Sequence, residues 1–85
     1  LQYTPEQIVV SSGGKHSLYN IFQCLLNPGD EVIIPAPYWV SYPDQVLLAD
    51  GVPVIVKTTQ EQGFKMSAAQ LEEVLSTHPR AKALV

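Results

Sequence analysis

Four short strand-like runs alternate along the chain with three helical patterns. The runs are Ile8 to Val10, Glu31 to Ile34, Val52 to Val56 and Ala81 to Val85. The first, Ile8 to Val10, is continuously apolar and β-branched, which suits a strand buried on both faces. Between them the spacing is helical. Leu18, Ile21, Phe22, Leu25 and Leu26 recur at i, i+3, i+4, i+7 and i+8, which gives the first helix one wide apolar stripe. Tyr42 to Ala49 predicts a second helix, with Pro43 tolerated in its first turn, Asp44 facing the dipole favourably and Gly51 closing it. Leu71, Val74 and Leu75 stripe a third, and Ser67-Ala68-Ala69-Gln70 supplies its capping box.

Turn residues separate the elements. Asn27-Pro28-Gly29-Asp30 stops the first helix, Pro35-Ala36-Pro37 ends the second strand, and Thr77-His78-Pro79 ends the third helix. Pro53 falls early in the third strand, where a missing N–H costs least, and a polar loop runs from Lys57 to Lys65. The order β-α-β-α-β-α-β predicts an α/β chain, a mainly parallel sheet covered on both faces, with right-handed crossovers.

Size and charge narrow the function classes. A chain of 85 residues is one domain at most. It buries only about 60–65% of its unfolded surface, so a self-sufficient core would be marginal. Five basic residues against eight acidic ones, without a basic cluster, exclude a nucleic-acid surface. Pro35, Pro37 and Pro43 break the only candidate membrane span. The lone Cys24 has no internal partner, and no His pair has metal-ligand spacing. A reducing, cytoplasmic setting is the expectation. The chain lacks an initiator Met and a signal-peptide pattern, and its last run reads as a strand just begun. It is therefore expected to be a piece of a larger domain, cut at both ends.

Ser11-Ser12-Gly13-Gly14-Lys15 joins the first run to the first helix. Such a turn directs unpaired N–H groups, the positive end of a helix dipole and one lysine at a single spot. That spot suits a phosphate or carboxylate, which would gain up to ~2 kcal/mol from the dipole. A helix start that simply needs small residues would look the same. A nucleotide P-loop is excluded, because Val9 stands where its first glycine belongs and His16 where its magnesium-binding hydroxyl belongs.

In a parallel sheet, ligands bind at the carboxyl ends of the strands. Ser11 to Lys15 follows the first strand and Pro35 to Ser41 follows the second, so the glycines and the only tryptophan, Trp39, share one rim. Trp39 suits either a packing wedge or a flat wall for a planar ring. His16 sits in the first helical turn, where the dipole disfavours its charged form, and no catalytic partner lies near it in sequence. His78, before Pro79, is expected to face solvent, and Cys24 to sit at the margin of the stripe. Asp30, Glu31, Asp44 and Asp50 fall at element ends, where caps and turns account for them. No catalytic residue and no metal site emerges from these patterns. The chemistry must come from a bound cofactor or from residues outside the chain.

Three segments carry a family resemblance: Ser11 to Asn20, Leu26-Asn27-Pro28-Gly29-Asp30-Glu31-Val32, and Pro35-Ala36-Pro37-Tyr38-Trp39-Val40-Ser41-Tyr42-Pro43. Together they resemble the pyridoxal-phosphate-dependent class I aminotransferases, and among these the bacterial-type aspartate aminotransferases. The resemblance covers essentially the whole chain, and the tryptophan segment is its most specific part.

It implies a three-layer α/β/α sandwich, with residues 1–85 as part of the large, cofactor-binding domain. It implies that Gly13, Gly14 and Lys15 hold the phosphate of pyridoxal 5'-phosphate, mainly through backbone N–H groups. It implies that Trp39 stacks on the pyridine ring. The Schiff-base lysine and the substrate-binding arginine would lie outside the chain. The implied substrates are an amino acid, aspartate first, and a 2-oxo acid, 2-oxoglutarate first, turned over by a homodimer. Rivals are an aromatic aminotransferase, a cofactor-binding sensing domain of a transcription regulator, and a non-functional remnant. Family topology also places the last three strands side by side and the first at a far edge, beside a strand absent here. The isolated chain is then expected to be poorly stable.

Overall fold

The computed structural model describes residues 1–85. After a single 3-10 turn at Pro5–Gln7 come α1 (Gly14–Leu25), β1 (Glu31–Ala36), α2 (Ser41–Leu48), β2 (Val52–Lys57), α3 (Ala68–Thr77) and β3 (Ala81–Leu84). The strands form one parallel sheet in the order β2-β1-β3. Glu31 to Ala36 pair in unbroken register with Val52 to Lys57. On the other side the register of β1 with β3 shifts between Glu31 and Val32. The last three strands of the sequence are thus neighbours, as expected.

β1 is the central strand, and its Val32, Ile33 and Ile34 are buried on both faces. Val32 and Ile34 pack on one side with Phe22 and Leu26 of the α1 end and with Val46 and Ala49 of α2. Ile33, on the other face by strand alternation, lies beside Leu75 of α3. Right-handed crossovers require this arrangement: α2 carries the chain from β1 outward to β2, and α3 carries it back past β1 to β3. Helices therefore cover both faces, and the α/β sandwich class holds.

One strand does not form. Ile8 is extended, but the Ile8 to Val10 run joins no sheet, and Val9 and Val10 are 82% and 93% exposed. The expectation of a doubly buried first strand is corrected accordingly. A strand needs a neighbour for its ladder, and the sheet presents β2 and β3 as its edges, neither of which reaches this run.

Local signals mark the helix ends. Ser67 Oγ accepts from the Gln70 N–H at 3.2 Å, and Gln70 Oε1 accepts from the Ser67 N–H at 3.0 Å. Gln70 Nε2 also donates to the Lys57 carbonyl at 3.1 Å, tying α3 to the end of β2. The end of α2 is built differently from expectation. Asp50, not Gly51, takes the left-handed conformation, with φ of 56°. Gly51 is needed for space: a Cβ there would stand 2.9 Å from Leu26 Cδ1 and 3.1 Å from the Asp30 carbonyl oxygen.

Two charged residues do more than end an element. Asp30 is buried, accepts from the Asn27 N–H at 2.8 Å and from Lys82 Nζ at 2.7 Å, and pairs with Arg80 at 3.3 Å. It joins the turn after α1 to the start of β3. His78 is only partly exposed, and its Nδ1 lies 2.9 Å from Glu31 Oε1. The solvent-facing expectation for His78 fails because the β3 register brings the α3–β3 turn against the start of β1.

The surface is large for the length. The chain exposes 6072 Å², whereas a compact monomer of this size exposes about 5,000 Å². Its radius of gyration is 14.3 Å against about 12 Å expected. The 85-residue chain alone is therefore expected to aggregate or to melt without a cooperative transition. Sharp two-state unfolding of a monodisperse monomer would contradict this. Asp30 gives a second expectation. The Lys82 ammonium, then the Asn27 N–H, with help from Arg80, hold its carboxyl well below the usual carboxylate range. An acid whose folded pKa lies below its unfolded value stabilises the fold above the unfolded value, about 4, and loses that as pH falls. In the full-length protein that carries this chain, urea midpoints should drop below about pH 4, and Asp30→Asn should flatten the drop; parallel curves for the two proteins would refute the assignment.

Candidate functional site

The site begins at the N-terminus of α1. Gly13 is the N-cap residue, with φ of 82° and ψ of 166°, a region that only glycine adopts readily. No side chain caps this helix. The first bond into the helix runs from the Ser17 N–H to the Gly13 carbonyl, so the Gly14, Lys15 and His16 N–H groups find no acceptor in the chain. A Cβ built on Gly13 or Gly14 would meet nothing within 4 Å. The space beside both glycines is open, and the dipole adds positive potential at the unpaired donors.

Two polar contacts fix the turn in front of them. His16 Nδ1 accepts from the Ser12 N–H at 3.3 Å, which places the proton of a neutral ring on Nε2. Ser17 Oγ donates to Ser11 Oγ at 2.8 Å. His16 thus braces the turn, a role its position four residues after Ser12 permits.

Trp39 approaches from the other side. It follows β1, at the carboxyl end of the sheet, and precedes α2. Its ring meets Tyr42 edge-on, with centroids 5.6 Å apart and planes at 89°. The Tyr42 N–H donates to the Trp39 carbonyl at 3.0 Å, so the indole is attached to the first turn of α2. Trp39 stays 42% exposed, which leaves much of the ring uncovered. Lys15 Nζ stands 4.6 Å from the Trp39 ring centroid, a cation–π distance. The glycine turn, the lysine and the tryptophan therefore share one rim, as expected, although the strand expected ahead of the turn does not form and contacts between α1 and α2 bring them together.

One residue here escaped sequence reasoning. Gln45 of α2 is only 5% exposed, and its Nε2 donates to the Lys15 carbonyl at 3.0 Å. It was detectable as a polar residue at helical spacing from Tyr42 and Ala49, inside the apolar stripe of α2. A cleft of about 440 Å³ opens between the first turns of α1 and α2, lined by Ser12, Lys15, His16 and Tyr19 on one side and by Asp44 and Gln45 on the other. Asp30, Arg80 and Lys82 lie at the opposite, amino end of the strands and take no part. Cys24 is exposed on α1, away from the rim, beside Val9, Ser17 and Ile21.

The arrangement can hold an anionic group against free N–H donors and a planar ring against an exposed indole. Comparisons with known proteins point the same way. The family model for aminotransferases of class I and II matches residues 1–85. The chain is 54% identical over 81 residues to an aspartate aminotransferase of Bacillus sp. (strain YM-2), covering 95% of this chain and 21% of that protein. It is 60% identical over 82 residues to an aspartate/prephenate aminotransferase of Cereibacter sphaeroides, covering 96% of this chain and 20% of that protein. Among solved structures, a mutant aspartate aminotransferase of Thermus thermophilus superposes with a TM-score of 0.92 at 48% identity, over 99% of this chain and 22% of that one. The chain spans about a fifth of the length of the relatives it matches.

The N-cap geometry gives a direct test. Gly13→Ala forces a side chain onto φ of 82° and should cost ~1–3 kcal/mol of stability in the protein that carries this chain. An unchanged urea midpoint would show that the turn relaxes without strain.

Proposed function

The chain belongs to the aminotransferase class I and II family, and on that premise we propose that residues 1–85 are part of the large domain of a pyridoxal-phosphate-dependent transaminase. The observation that carries this reading is that three N–H groups stand unpaired at the start of α1 while the Lys15 ammonium of the same turn lies 4.6 Å from the centroid of the exposed Trp39 ring. A phosphate needs donors and positive potential, and a pyridine ring needs a flat apolar wall. Both lie on one rim, with open space over Gly13 and Gly14.

The residues fit the cofactor as follows. The turn at Gly13, Gly14 and Lys15 would hold the phosphate, mainly through backbone N–H groups, and Trp39 would carry the ring. The Lys15 ammonium adds positive charge where the anionic groups gather. When bound, the cofactor supplies an electron sink for proton transfer at a substrate α-carbon. This chain's own part is to bind and orient. His16 accepts from the Ser12 N–H and Asp44 stands across the cleft; neither is given the covalent step, which is assigned to residues elsewhere in the protein.

The whole protein would move an amino group from aspartate to 2-oxoglutarate, acting in the cytoplasm as a homodimer. The names of its relatives support aspartate as donor. No helix here is long and apolar enough to cross a membrane. Prephenate is a second acceptor to consider, because a relative at 60% identity is named an aspartate/prephenate aminotransferase.

The test is amino transfer by the purified full-length protein. Aspartate with 2-oxoglutarate should give glutamate, and prephenate should be tried beside it. Trp39→Ala should weaken cofactor binding by about tenfold, the worth of one aromatic stack. Cofactor binding without turnover of any amino acid would favour the sensing-domain reading, and no cofactor binding at all would remove the proposal.

A further inference from the structure

We propose that Gln45 is a positioning residue, holding the first turn of α1 at the spacing from Trp39 that lets one cofactor engage both. The inference rests on the phosphate-seat reading above and deepens it. Gln45 is 5% exposed, and its two amide atoms are treated unequally. Nε2 donates to the Lys15 carbonyl at 3.0 Å, thirty residues away in sequence. Oε1 is buried and has no partner.

An orphaned acceptor destabilises a fold, and an apolar side chain of the same length would avoid that loss while filling the same space. Packing therefore does not account for an amide here. Its donor does something an apolar residue cannot. A carbonyl has two lone pairs, so the Lys15 oxygen can take the amide and still serve the helix. The bond fixes the residue whose own N–H faces the seat.

The rest of the path is equally short. Trp39 is attached to the first turn of α2 through the bond from the Tyr42 N–H to its carbonyl. Gln45 leaves α2 one turn later. Lys15 then spans back, its carbonyl on Gln45 and its ammonium 4.6 Å from the indole centroid. The seat and the wall are thus linked through a closed loop of contacts, in which the Gln45 amide is the one directional bond between α1 and α2 at this end. Misplacing a seat by a fraction of an ångström weakens binding of a ligand held at two points more than of one held at a single point.

The test compares pyridoxal 5'-phosphate with pyridoxal, which has the ring but no phosphate, by spectroscopic titration of the full-length apoprotein. Gln45→Met keeps the length and removes the amide. It should weaken the phosphorylated cofactor by roughly fivefold, the worth of one hydrogen bond, leave pyridoxal unchanged, and leave the melting temperature of the apoprotein equal or higher. Gln45→Leu serves the same comparison if the methionine variant does not fold. Gly13→Val, which disrupts the seat itself, is measured alongside. If Gly13→Val lowers the preference for the phosphorylated form and the Gln45 variants do not, or lower both affinities equally, the positioning role is overturned. If Gly13→Val also leaves the preference intact, the phosphate seat is misassigned and the role of Gln45 falls with it.

Discussion

The exclusion of β1 from water is the constraint on which the rest depends. Val32, Ile33 and Ile34 are essentially unexposed, and every other element is placed by what it does to keep them so. β2 and β3 satisfy the two edges of β1, α1 and α2 cover the face of Val32 and Ile34, and α3 lies over the face of Ile33. Each such side chain contributes roughly 1.5–3 kcal/mol when fully buried. The site inherits its geometry from this packing: β1 runs out at Ala36, and the turn that follows delivers Trp39 to the rim where α1 begins.

The two ends of the sheet are specialised in opposite ways. At the amino end, Asp30 collects a backbone donor and two cationic side chains, and Glu31 takes His78. Apart from the buried Glu31 Oε2, which has no partner, those groups are paired and serve the register. At the carboxyl end the donors are left free and the aromatic ring is left exposed. Satisfied polar groups hold a fold together, and unsatisfied ones at an accessible helix start are available to a ligand. The contrast is why the carboxyl rim, and not the more highly charged amino rim, is the place for chemistry.

Much of the fold could be read from residue spacing. Helical periodicity located α1, α2 and α3 to within a residue or two, and Ser67 with Gln70 marked the start of α3. The glycine turn and the tryptophan were found as site candidates because strand parallelism puts both at one rim. Ile8 to Val10 misled, since an apolar β-branched run states a propensity and not the presence of a neighbour to pair with. The spacing of Gln45 from Tyr42 and Ala49 marked it as a buried polar residue, but its partner, a carbonyl on another helix, is encoded by no local pattern.

What the sequence settled alone is what neighbours along the chain can settle. The conformation at Gly13, the capping box at Ser67 and the stop after α1 depend on residues within one turn of one another, where propensity and hydrogen bonding act directly. Tertiary structure decided the cationic partners of Asp30, the pairing of His78 with Glu31, the crowding of Gly51 by Leu26 and the Asp30 carbonyl, and the hold of Gln45 on Lys15. Those contacts join residues from about 20 to 52 positions apart. They exist only after strand order and register are fixed, because the burial of β1 selects which distant segments are brought together.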